Sequence, residues 1–151
     1  PEQQAQIRDT IRQRGADVGF SFNPSGRGRI YNTFDAHRLL HWAGITDISK
    51  QLALKKALLT ACHTHSLAME SHGVWLAAAT EAGLDRDRAQ SVLDSDAFAA
   101  EVRAAEERYH SLGIHSVPAV IINDRHLISG GQPAAVFAQA LRQIAAESEA
   151  R

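Results

Sequence analysis

The stretch Gly113-Ile114-His115-Ser116-Val117-Pro118-Ala119-Val120-Ile121-Ile122-Asn123-Asp124-Arg125-His126-Leu127-Ile128-Ser129-Gly130-Gly131 decides how the chain is read. Ala119 to Ile122 contains three consecutive β-branched residues, whose stiff χ1 suits a pleated strand better than a helix. Asn123-Asp124-Arg125 has turn chemistry, and His126 to Ser129 is a second short strand, so the stretch predicts a β-hairpin. Pro118 stands at the first position of the first strand, where its missing N–H removes no ladder hydrogen bond. Gly130-Gly131 breaks the second strand, and Pro133 suits the first turn of a last helix with Val136, Phe137, Ala140, Leu141 and Ile144 inward.

Everything before this stretch is helical in pattern. Phe98, Val102, Ala105, Tyr109 and Leu112 recur every three or four residues, predicting a helix capped by Ser95 or Asp96 and closed at Gly113. A shorter helix through Ala89, Val92 and Leu93 has Asp85 as its cap. Leu67 to Ala82 predicts another, ended by Gly83, and Leu52 to Cys62 one more. Asn32 or Thr33 caps a helix whose inward side is Phe34, Ala36, Leu39, Leu40 and Ala43, ending near Gly44. Ile7 and Ile11 mark a helix stopping at Gly15, followed by an apolar connector from Val18 to Phe22. Asn23-Pro24-Ser25-Gly26-Arg27-Gly28-Arg29 reads as an exposed loop. Two strands do not make a stable sheet alone, so further strands are expected from elsewhere.

The composition excludes several function classes. With 16 Lys+Arg against 17 Asp+Glu the net charge is -1, which provides no general attraction to nucleic acid or an anionic bilayer. The apolar runs Leu76 to Ala79 and Val117 to Ile122 fall far short of the roughly 20 residues of a membrane-spanning helix. No secretory signal is visible in Pro1-Glu2-Gln3-Gln4-Ala5, so a cytoplasmic location is the expectation. Cys62 is the only cysteine, which excludes an internal disulfide and any Cys-x-x-Cys pair within these 151 residues.

Gly113 to Asn123, followed by Ile128-Ser129-Gly130-Gly131-Gln132-Pro133, resembles the closing half of a DsbA-family thioredoxin fold. Asn32-Thr33-Phe34-Asp35-Ala36-His37-Arg38-Leu39-Leu40-His41-Trp42-Ala43 is similar to a signature of the FrnE-like group, at the start of its helical insertion. The resemblance implies a thioredoxin-like α/β fold in one domain over residues 1–151: an opening helix and loop (1–30), a helical insertion (31–112), and a terminal hairpin and helix (113–151). It also implies a cis Val117-Pro118 step whose backbone meets an extended substrate, with Asn32 and His37 as further substrate-binding residues. The implied activity is thiol–disulfide exchange on protein or small-thiol substrates, without cofactor or metal. Family members open with a strand, a Cys-x-x-Cys and a helix that are absent here, so the expectation is a fragment lacking its redox dithiol. Kappa-class glutathione transferases and 2-hydroxychromene-2-carboxylate isomerases resemble the same architecture, and a redox-inactive peptide-binding module is the non-enzymatic alternative. An unpaired sheet edge also permits a homodimer.

The remaining chemistry-bearing residues have plainer readings. Cys62, among Leu58, Leu59 and Ala61, is expected as an unreactive core thiol, and with His63 and His65 it does not converge on one helical face as a metal site would. His37 and His41 have the spacing of a metal pair but lack the intervening Glu of a zincin helix, so a groove-lining or solvated role is expected. Arg27 and Arg29 are expected to be solvated, and Trp42 and Trp75 to lie in the core.

Overall fold

A computed structural model describes residues 2–26 and 29–149, so Arg27 and Gly28 of the expected basic loop lie outside the described residues. The order is α1 (Glu2–Asp17), α2 (Phe34–Thr46), α3 (Ile48–Leu59), a π-helical turn (Thr60–Thr64), α4 (His72–Glu81), α5 (Arg86–Leu93), α6 (Ala99–Ser111), β1 (Ala119–Ile122), β2 (His126–Ser129) and α7 (Ala134–Glu149). The chain divides into two compact units between Val102 and Arg103.

The first unit is a helical cluster. Leu39, Trp42 and Ala43 of α2, Leu54 and Leu58 of α3, Trp75, Leu76 and Ala79 of α4, and Ala89, Val92 and Leu93 of α5 form its core. Trp42 and Trp75 therefore take the interior positions expected of them. The many alanines among these residues let the helices approach closely, which favours helix-on-helix packing over large bridging side chains.

Side-chain and glycine caps set the helix ends. Asp47 closes α2 and opens α3: its N–H donates to the Ala43 carbonyl at 2.8 Å, and its carboxylate accepts the Ser49 N–H at 2.9 Å and the Ser49 hydroxyl at 2.6 Å. These two bonds, the hydroxyl first, hold the Asp47 carboxyl below its ordinary range. The Asp85 carboxylate accepts the Arg88 N–H at 2.7 Å at the start of α5.

Several expected boundaries move. α2 runs past Gly44 to Thr46; the missing Cβ there leaves room for Gln51 of α3 to donate its amide to the Leu40 carbonyl at 2.9 Å. Gly15 does not end α1. It is buried inside the helix, where a Cβ would meet the Phe22 ring at 2.6 Å, and the end is made four residues later by Gly19 in the left-handed conformation. There the Phe20 N–H donates to the Gly15 carbonyl at 2.8 Å and the Gly19 N–H to that of Ala16 at 3.0 Å, the paired bonds of a Schellman cap. A close approach and a helix end both call for glycine, and the sequence pattern does not distinguish them. The helix expected from Leu67 starts only at His72, with Met69 buried in the turn before it, and α3 gives way to the π turn at Thr60.

The second unit contains the hairpin. β1 and β2 are antiparallel, with Val120 opposite Ile128 and Ile122 opposite His126. Asn123 and Asp124 both have positive φ, the sign pattern of a type I′ turn, whose twist matches that of the strands. The two strands are the complete sheet among the described residues. Of the residues expected to face inward on α6 and α7, Tyr109, Leu112, Val136 and Leu141 are exposed, while Ile144 is buried.

Candidate functional site

The hairpin determines the surroundings of Val117 and Pro118. The Pro118 carbonyl accepts the Gly130 N–H at 2.9 Å, which extends the pairing one step beyond Ala119 and Ser129. Gly130 has φ of +79°, the left-handed region where glycine is unstrained, and this turns the chain out of β2. The Val117–Pro118 peptide is cis. Val117 is 87% exposed, and among the described residues neither its N–H nor its carbonyl has a hydrogen-bond partner. An unpaired, solvent-facing backbone unit at the head of a strand can accept one more extended chain by β-addition.

Asn32 and His37 belong to the first unit, at the start of α2. The Asn32 carboxamide oxygen accepts the Phe34 N–H at 3.0 Å, so this exposed side chain helps cap α2, as its residue type predicts. Thr33 flanks the helix without a side-chain cap bond. His37 is exposed one turn in, and its N–H donates to the Thr33 carbonyl at 3.1 Å. His41 diverges from it: its half-buried ring lies 5.4 Å from that of Phe98.

The other candidates have ordinary surroundings. Cys62 sits in the π turn, half buried and packed against the helical core. His63 stacks edge-on with Phe22, their rings 5.6 Å apart. Among the described residues no three His, Cys, Asp or Glu side chains gather as a metal site would require. Arg29 is engaged, pairing with Glu70 and lying 5.0 Å over the Tyr31 ring. No described helix is long and apolar enough to cross a membrane.

Sequence reasoning missed Arg38, to which the pattern of residues assigns no role. It is the one buried charged side chain among the described residues, 4% exposed. Its Nε donates to the Ala97 carbonyl at 2.8 Å, Nη1 pairs with Asp35 at 2.8 Å, and Nη2 donates to the carbonyls of Val92 and Ser95. One guanidinium thus gathers the open carbonyls at the end of α5 and ties them to α2, a task that uses the planar fork of arginine. The signal in the sequence was Asp35 three residues before Arg38, a spacing at which the two meet on a helix.

No curated protein matches the chain. The family of DSBA-like thioredoxin domains matches residues 1–142. That match gives the small hairpin and the many helices a common frame, a thioredoxin-like α/β domain in which helices greatly outnumber strands. By this match over almost its whole length, the chain belongs to the DSBA-like thioredoxin domain family.

Proposed function

We propose that these residues are the substrate-presenting part of a FrnE-like thiol–disulfide oxidoreductase, its two compact units being parts of one domain. The observation that carries the reading is the unpaired, exposed Val117 backbone at the head of β1 in a chain of this family. An extended substrate, a protein segment or small-thiol disulfide, is held along Val117 and Pro118.

Disulfide exchange needs an attacking thiolate and a second thiol that resolves the mixed disulfide. Cys62 is the sole cysteine and cannot serve as both, so the reading assigns the dithiol to sequence outside these 151 residues. Two measurements test it. Adding an extended cystine-containing peptide should shift the Val117 and Ala119 amide resonances, and the product of the complete gene should accelerate insulin reduction by dithiothreitol. If the amides do not move and insulin reduction is unchanged, the reading fails. The single cysteine favours one other reading, a redox-inactive peptide-binding module, which would show the amide shifts without turnover.

A further inference from the structure

The outer face of α3 is unusual for a helix in a packed cluster. Its inward face, Leu54, Ala57 and Leu58, is buried in the core. Yet Ile48 is 71% exposed, Leu52 58% and Leu59 38%, and Ile45, just before the Asp47 cap, is 64% exposed. Three branched aliphatic side chains in solvent, spaced four and seven residues apart, form a seam one side chain wide. At 3.6 residues per turn they fall within about 40° of arc.

Charge frames this seam. All three lysines of the protein, Lys50, Lys55 and Lys56, are on α3, and α3 contains no acidic residue. By the same helical geometry Lys55 falls about 20° to one side of the seam and Lys56 about 40° to the other. Among the described residues neither has a carboxylate partner, whereas Lys50 lies close enough to Asp47 to act on its carboxyl. Beside the seam runs an open trough of about 510 Å³, lined by Leu40, Ile48, Ser49, Gln51, Leu52 and Lys55.

We propose that this face of α3 docks an amphipathic helix of a partner protein, one with an apolar seam edged by Glu or Asp. The arrangement is half of a coiled-coil contact in which Ile48, Leu52 and Leu59 hold three core positions and Lys55 the fourth, with Lys56 on the edge, so an acidic partner is selected by cations within and beside the strip. A second copy packing α3 against α3 would bring lysines together without counter-charge. A bilayer surface suits the face less well, because the trough is concave and partly polar. The partner therefore needs ridges that enter the trough and carboxylates that reach Lys55 and Lys56.

The test uses the full chain and a labelled 16-residue helical peptide with leucines at heptad spacing flanked by glutamates, read by fluorescence anisotropy. Binding should weaken with added salt, fall at least about tenfold in the Leu52→Glu variant, and shift toward a lysine-flanked peptide in Lys55→Glu/Lys56→Glu. All three substituted residues are exposed, so circular dichroism should match the parent protein. The proposal is overturned by no binding at about 1 mM peptide, or by equal binding of glutamate- and lysine-flanked peptides. It is also overturned if vesicles containing phosphatidylserine bind where the peptide does not, or if the chain self-associates through Leu52 instead.

Discussion

The helical unit before Arg103 and the hairpin unit after it solve the burial problem differently. Among the described residues, nineteen of the twenty buried apolar ones belong to the first unit, and Ile144 alone to the second. Helices that each carry an apolar side can enclose one another, so α2 to α5 surround a shared interior. A two-stranded sheet has two faces and two edges, and Val120, Ile121 and Leu127 stay exposed. Its order comes from local chemistry instead: β-branched strands, an Asn-Asp turn with positive φ, and Gly130 bonded back to Pro118. Stability therefore concentrates in the helical unit, and accessible backbone in the hairpin.

The largest effect should come from the polar tie of the helical unit. Arg38→Ala removes a buried guanidinium together with its bonds to the Val92, Ser95 and Ala97 carbonyls and its pairing with Asp35, and should lower unfolding free energy by about 3–5 kcal/mol in denaturant titrations. Arg38→Lys should recover little of this, because an ammonium cannot reproduce the fork. A loss below about 1 kcal/mol in the alanine variant would show that this guanidinium is not the tie described.

Cavity formation should separate the two units more directly. Leu54→Ala, at a fully buried position, should cost about 2–5 kcal/mol. Leu127→Ala, half exposed on β2, should cost less than about 1 kcal/mol, the scale of one cross-strand pair. Equal costs would erase the contrast.

The smallest effect is acid sensitivity at the start of α3. The Asp47 carboxyl titrates lower in the fold than in the unfolded chain, because the Ser49 hydroxyl and N–H bind its charged form. Its contribution is therefore complete above the ordinary carboxylate pKa of about 3.9 and is lost as pH falls through the lower folded value. Following the Asp47 carboxyl resonance during acid titration checks this. An ordinary or raised midpoint, or a Ser49 amide unaffected by Asp47→Ala, would contradict the cap.

The sequence was most legible where function follows from one residue's chemistry. Gly83 and Gly113 end α4 and α6 in the left-handed conformation, and Asp85 caps α5, each as its residue type predicts. Legibility failed where two physical needs share one residue type. Gly15 looks like a helix end and is a contact with Phe22; Arg38 is a buried donor, although an arginine on a helix is ordinarily a surface residue. Asn32 is mixed, for the cap was foreseen while any contact with substrate lies beyond what capping chemistry reveals.

What the sequence determined by itself is the order of helices and hairpin, the turn at Asn123-Asp124, and the lack of a second cysteine, because these depend on local dihedral preference and composition. Only the tertiary structure decided that Arg38 goes inside while Ile48, Leu52 and Leu59 stay out. Periodicity gives each helix an apolar stripe, but which stripe is buried depends on which neighbours the folded chain brings against it.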